Sequence, residues 1–307
     1  FNTTGANNIS IGNVALQQNT TGANNVAVGA NALDANTTAN NNTACGQQAL
    51  TDNTTGANNT ALGTLALGNN TTADNNTGIG YTALLANTTG TQNVAVGANA
   101  LDTNTTGNSN TALGYQTLDA NTTGNRNTGL GQGALRNNTT ASDNTAVGRD
   151  AMFANTTGTN NTSVGKSALE SNTTGTRNVA LGSQALDANT TANDNTALGD
   201  QAMSTKTTGN TNTAVGASAG FALTTGGNNT LVGYNAGNTA SPSGAITTGS
   251  NNVVLGDNNI SNLFCADTSI SSSDSRDKTD VNNFTIGLAW IEALRPVTYR
   301  WDRRTWY

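Results

Sequence analysis

The sequence predicts an all-β fold, a parallel β-solenoid or β-roll built of 17-residue coils. The first observation is a motif of five residues, Asn-Ile-Ser-Ile-Gly at 8–12, which has fifteen copies. The first fourteen copies lie at a constant spacing of 17 residues, and the fifteenth, at 252–256, follows a short interruption. The second observation is that apolar residues keep fixed places within the repeat. A fixed period of this size is typical of a solenoid, in which each coil stacks on the preceding coil.

Composition excludes several classes of protein. Only 10% of the 307 residues are charged and 4% are aromatic, so an ordinary globular core is not expected. The net charge of −6 offers no basic stripe for nucleic acid, and histidine is absent. No apolar run approaches the roughly 20 residues of a membrane helix. Cys45 and Cys265 are interpreted as small apolar fillers, and we expect no cofactor, no metal and no membrane insertion.

Two apolar rows run along the repeats, and we predict that both are buried. The Val28 row is apolar in every copy, and β-branched residues two positions earlier favour a strand of about four residues. The residue between them is usually Ala, Ser or Gly, which indicates close packing on that face. The Leu33 row marks a second short strand or a turn, and Thr-Thr-Gly then turns the chain back. The members of the Leu33 row are Leu16, Leu33, Leu50, Leu67, Leu84, Leu101, Leu118, Leu135, Met152, Leu169, Leu186 and Met203.

One asparagine is kept in every coil, as at Asn8, Asn25 and Asn42. We expect this Asn25 row to stack its side-chain amides into a ladder that donates to one neighbouring coil and accepts from the other. Fifteen coils at about 4.8 Å each give a rod of roughly 70 Å. A narrow coil holds only two or three inward side chains, so one chain alone looks marginal against its ordering entropy. We therefore expect a homotrimer, with a single-chain solenoid as the alternative.

The composition divides the chain into three parts. Residues 1–238 form the repeat shaft, 239–269 hold the last coil and a transition, and 270–307 begin a different domain. In that last part, 286–294 is predicted as an amphipathic helix and 297–301 as a strand, the start of a small α+β domain. All three tryptophans lie there: Trp290, Trp301 and Trp306.

The segment 273–278 (Ser-Asp-Ser-Arg-Asp-Lys), with Leu-Arg-Pro-Val-Thr-Tyr at 294–299, carries a recognisable pattern. It resembles the start of the intramolecular chaperone auto-processing domain at the C-terminus of phage tail fibres and tailspikes. The resemblance implies a domain that trimerises, guides folding of the fibre before it and then cuts itself off. It covers about 35 residues, and the family's domain is longer.

The resemblance also assigns roles to single residues. It implies that Ser273 is the nucleophile, that Lys278 is its base and that Asp274 and Arg276 support them. Cleavage would fall between Ser272 and Ser273. A serine hydroxyl needs a neighbouring base, and a lysine acts as one only when its pKa is lowered. The expected activity is a single-turnover autoprotease without an external substrate.

The coils resemble tail-fibre proteins with Asn-Thr-Thr-Gly repeats and, more loosely, the heads of trimeric autotransporter adhesins. The interpretation is a tail-fibre shaft in the extracellular part of a virion. The resemblance implies as partners a host-cell surface receptor or glycan and phage baseplate or tail proteins. The alternative is a trimeric adhesin on a bacterial surface.

Two further surface features leave remote alternatives open. The regular Thr-Thr pairs suggest an ice-binding solenoid, although they lie in a turn. The acids of one row, Asp34, Asp102, Asp119 and Asp187, could hold calcium, but the same row contains Arg136. A solvated edge is the favoured interpretation of that row.

Overall fold

A computed structural model describes residues 3–262, and these residues form the predicted parallel β-solenoid. Their regular secondary structure consists of fifteen strands of three residues, joined in one parallel sheet in chain order. The strands are β1 (Ile9–Ile11), β2 (Val26–Val28), β3 (Thr43–Cys45), β4 (Thr60–Leu62), β5 (Thr77–Ile79), β6 (Val94–Val96), β7 (Thr111–Leu113), β8 (Thr128–Leu130), β9 (Thr145–Val147), β10 (Thr162–Val164), β11 (Val179–Leu181), β12 (Thr196–Leu198), β13 (Thr213–Val215), β14 (Thr230–Val232) and β15 (Val253–Leu255).

Each strand pairs with the strand one coil away, without any slip of register. Ala95 of β6 lies opposite Gly78 of β5 and Ala112 of β7, each 17 residues distant. A glycine ends the strand, and Gly97 has a φ of 136°. A Cβ atom on Gly97 would collide with the carbonyl oxygen of Gly114. Glycine is kept here because both the conformation and the coil-to-coil distance exclude a side chain.

The prediction that the Val28 row is buried was wrong. The small residue at the centre of each strand points inward, so Ala27 is fully buried while Val28 is half-buried. Leu113 of the same row is 44% exposed. Alternation along a strand shows which residues share a face of the sheet, but not which of the two faces points inward. The interior is too narrow for a large side chain from the strand, because the Leu33 row already occupies it.

The Leu33 row is buried, as predicted, and it lies in a turn rather than in a second strand. Leu33, Leu50 and Leu101 have no exposed surface. Leu33 has a φ of 50° and Asn31 a φ of 58°, so two left-handed residues bend the chain in this turn. A left-handed leucine costs about 1–2 kcal/mol, and full burial of its side chain returns about 1.5–3 kcal/mol.

The Asn25 row stacks as expected, but its main partner is the backbone, and the Oδ1 and Nδ2 atoms of one amide both bond to the following coil. The Oδ1 atom of Asn8 accepts the backbone N–H of Asn25 at 2.9 Å. The Nδ2 atom of Asn8 donates to the carbonyl oxygen of Gly22 in the next coil at 2.8 Å. Side-chain amides also bond directly in part of the row, as from Asn110 to Asn93 at 3.2 Å. Each amide therefore ties two successive coils together.

A second amide ladder, which the sequence analysis did not predict, runs through the asparagine that precedes Thr-Thr. In this Asn36 row, Nδ2 of Asn36 donates to Oδ1 of Asn19 at 2.9 Å. The pattern repeats coil by coil until Nδ2 of Asn189 donates to Oδ1 of Asn172 at 2.8 Å. These asparagines are fully buried. The solenoid thus has a polar column inside it, which is satisfied by hydrogen bonds from coil to coil.

The interruption before the last copy leaves the stacking intact. Its six extra residues, 240–245, include Pro242 and are exposed or half-buried except for Ser241, which is buried. Ile246 then resumes the Asn36 row, and the backbone N–H of Thr224 donates to the carbonyl oxygen of Thr247 at 2.7 Å. β14 and β15 pair in the same register as the other strands.

Candidate functional site

The proposed autocleavage residues lie outside the described residues. Ser272 and Ser273 at the cleavage point, the base Lys278 and the supporting Asp274 and Arg276 therefore remain predictions. Within 3–262, the candidate sites are the surfaces that the solenoid presents to solvent.

The largest of these surfaces is the outward side of the sheet, here called the outer sheet face. It consists of the Val26 row and the Val28 row, whose side chains all point away from the interior. Exposed members include Leu62 at 40%, Leu113 at 44% and Leu181 at 42%. No residue of either row is charged, from Ile9 to Leu255. Isolated apolar side chains on a surface are ordinary, but a continuous row such as the Val28 row is typical of an interaction surface. The Val26 row beside it is less apolar, because ten of its fifteen residues are threonines.

The Thr-Thr pairs present one hydroxyl of each pair to solvent. The first threonine is half-buried, and the Oγ1 atom of Thr20 donates to the carbonyl oxygen of Thr37 at 2.9 Å. The second threonine, as at Thr21, is exposed. The first hydroxyl therefore stabilises the stacking of coils and is already engaged when a ligand approaches.

The Asp34 row forms a half-buried edge on another side of the coil. Burial raises the pKa of Asp102, and the carboxylate of Asp119 raises it further. Burial also raises the pKa of Asp119, while Arg136, whose Nε lies 3.7 Å from Asp119 Oδ2, opposes that shift. The pKa of Asp187 is raised by burial and then by Glu170. Among the described residues, no group of three or more Cys, Asp or Glu side chains could hold a metal ion.

Two exposed ion pairs join neighbouring coils at a further corner. Nε of Arg126 lies 2.7 Å from Oδ1 of Asp143, and Nε of Arg177 lies 2.6 Å from Oδ1 of Asp194. Hydrogen bonding to Arg126 lowers the pKa of Asp143. Such pairs contribute little to stability in water, because solvent screens both partners. They mark a charged corner, in contrast to the uncharged outer sheet face.

The described residues contain no helix long and apolar enough to cross a membrane.

The outer sheet face was not predicted from the sequence, because the Val28 row was expected to lie inside. The signal that could have found it is the Ala27 row, in which most residues are Ala, Gly or Ser. Only an inward position in a narrow coil demands such small side chains.

Comparison with known proteins gives one family match. Residues 273–305 match the model of the family described as the chaperone of endosialidase. This match covers the segment for which the sequence analysis expected an intramolecular chaperone. No curated protein matches the chain. A solenoid of 17-residue coils with stacked asparagines, followed by a chaperone of endosialidase segment, fits a tail fibre with a chaperone domain.

Proposed function

We propose that this chain is the shaft of a phage tail fibre, that three copies assemble along it and that the fibre attaches to the host surface. The observation that carries the proposal is the chaperone of endosialidase match at 273–305, which follows the solenoid directly in the chain. The fibre is extracellular and associated with the virion. Cleavage before Ser273 releases the chaperone once the shaft has folded.

The outer sheet face supports assembly, because the apolar Val28 row is exposed or half-buried in every coil. Fifteen strands at about 4.8 Å make a face roughly 70 Å long, and three residues make it about 10 Å wide. Its Val28 row is apolar throughout, whereas ten of the fifteen residues of the Val26 row are threonines. The face as a whole covers roughly 700 Å², which is close to the roughly 800 Å² that each partner buries in a stable interface.

Further copies of the same chain fit this face better than an unrelated protein does. The two rows repeat every coil, so a second copy offers side chains at the same spacing along its whole length. The face carries no charge that would orient a charged partner. The number three rests on the resemblance of the C-terminal segment and not on the sheet itself.

Assembly is tested by the native mass of the purified fibre. Leu113→Lys combined with Leu130→Lys places two ammonium groups on the outer sheet face, and we expect the three-copy species to be lost. Gln132→Lys is the matched control, because Gln132 is an exposed polar residue outside the two rows. An unchanged native mass in the double variant would contradict assembly through this face.

Attachment is tested by competition for phage adsorption. Purified mature fibre should block adsorption of the parent phage to host cells in a saturable way. Cells treated with periodate and cells treated with protease separate a glycan receptor from a protein receptor. If the fibre neither binds cells nor blocks adsorption, the attachment role fails. A membrane anchor encoded in the same gene would favour the bacterial adhesin instead.

A further inference from the structure

Lys206 interrupts the inner amide column of the solenoid. It occupies the place that asparagine holds from Asn19 to Asn189, and Leu223 follows in the same place one coil later. Lys206 has no exposed surface and is among the largest fully buried side chains of the described residues. The ladder therefore ends at a buried lysine.

The surroundings of this lysine are uncharged. Its Nζ atom donates to the carbonyl oxygen of Gly226 at 3.2 Å, and the side-chain amide of Asn212 donates to the same oxygen at 3.1 Å. Gly209 also lies beside the Nζ atom of Lys206. No carboxylate pairs with Lys206 among the described residues. A buried ammonium group without a counter-ion is costly, because it loses hydration and gains only one acceptor.

The interruption also affects Asn189, which holds the same place one coil before Lys206. Oδ1 of Asn189 has no hydrogen-bond partner, although it is buried. In the preceding coils the corresponding oxygen accepts from the next asparagine, as Asn172 does from Asn189 at 2.8 Å. The inner column therefore has an unsatisfied acceptor, Oδ1 of Asn189, in one coil and an unpaired cation, Lys206, in the next coil.

We propose that Lys206 forms a weak joint in the solenoid, at which the coils carrying β13, β14 and β15 separate from the coils before them. Coils of a solenoid contact only their neighbours, so a defect at one level weakens that level alone. Opening returns Lys206 to water and allows Asn189 to bond with water. When the joint opens, the last coils before residue 263 separate from the regular coils that precede Lys206.

The joint responds to pH in a defined direction. Burial lowers the pKa of Lys206 from 10.5 to about 8. Below about pH 8 the lysine is protonated in both the closed and the open state, so the closed joint bears the full cost of the buried charge. Between about pH 8 and pH 10.5 only the open state binds the proton, so stability of the closed joint rises with pH.

Hydrogen–deuterium exchange of the full chain, corrected for the intrinsic rate at each pH, tests the joint. At about pH 7, amides of 207–230 should exchange at least about tenfold faster than those of 105–180, and the difference should shrink at about pH 9.5. Lys206→Met removes the charge and should abolish the pH dependence. Lys206→Asn restores the amide and should raise protection at both pH values.

Lys166→Met is the control, because Lys166 is exposed. It should leave the exchange of 207–230 unchanged. Equal protection of 207–230 and 105–180 in the wild type at about pH 7 would overturn the proposal. An unchanged pH dependence in Lys206→Met would overturn it as well.

Discussion

Side chains inside the solenoid compensate for one another in size. Thr117 replaces the usual alanine of the turn, and Gly129 replaces the usual alanine of the strand in the next coil. A Cβ atom on Gly129 would lie 2.5 Å from Cγ2 of Thr117. Leu231 replaces another strand alanine, and its neighbours in the Leu33 row are Gly220 and Gly237. These exchanges hold the interior volume nearly constant, as close packing requires.

The first pair predicts a strong coupling between two substitutions. Gly129→Ala alone should destabilise its coil by about 1–3 kcal/mol, because its methyl group overlaps the methyl group of Thr117. The double variant with Gly129→Ala and Thr117→Ala has the usual alanine at both positions, so most of that destabilisation should disappear. Urea unfolding of the four proteins of this cycle gives the coupling free energy. Additive effects would show that the two residues do not share one space.

The inner amide column predicts a large cost for a single truncation. Asn104 donates to Asn87 at 2.9 Å and accepts from Asn121 at 2.8 Å, all within the interior. Asn104→Ala should lower the local stability by at least about 2 kcal/mol, because it leaves buried amide groups unsatisfied. Exchange protection of 87–121 measures this loss.

Asn40→Ala is the control for that truncation, since Asn40 is exposed and other coils carry Ala23 and Ala57 in the same place. Its effect should stay within about 0.5 kcal/mol. If the two variants lose equal protection, the inner column has no special role in stability.

The stacking of a coil depends on residues that keep their places in the rows, and not on the number of residues that connect one coil to the next. The loop 240–245 adds six residues, yet Asn252 donates its backbone N–H to Oδ1 of Asn229 at 3.0 Å, as in the regular coils. The turn ends before the loop, and Ile246 enters the interior afterwards with 8% exposure. The coil is therefore the independent unit of the structure.

Deletion of 240–245 should consequently be tolerated. It joins Thr239 to Ile246 and restores the 17-residue period, so every row keeps its register. We expect β15 to retain its exchange protection within about threefold. A collapse of protection in β15, with the earlier strands unaffected, would show that the loop supports the last coil.

For the whole molecule, the period of the sequence was sufficient to predict a parallel solenoid, the burial of the Leu33 row and the stacking of the Asn25 row. It was not sufficient to orient the strand. Val28 and Ala27 alternate, and both faces of the strand suit apolar residues, so hydrophobicity alone assigned the wrong side. The left-handed φ of Leu33 was equally hidden, because leucine does not favour that conformation. The sequence shows Lys206 in the place of an asparagine, but its burial follows only from the stacking of its neighbours.

The orientation of the strands changes the interpretation of the molecule. A solenoid with the Val28 row inside would hide both apolar rows from solvent. A solenoid with that row outside exposes a continuous apolar row along fifteen strands, which favours assembly. The interior of each coil instead consists mainly of one leucine, small residues and two asparagines.

Whether the shaft is followed by a self-processing chaperone is decided by the mass of the mature chain, expressed from the complete gene beside a Ser273→Ala variant. The wild-type product is expected to end at Ser272, and the variant is expected to retain everything from residue 273 onward. If both proteins keep their full mass, 273–305 does not process the fibre, and the bacterial adhesin becomes an equal interpretation.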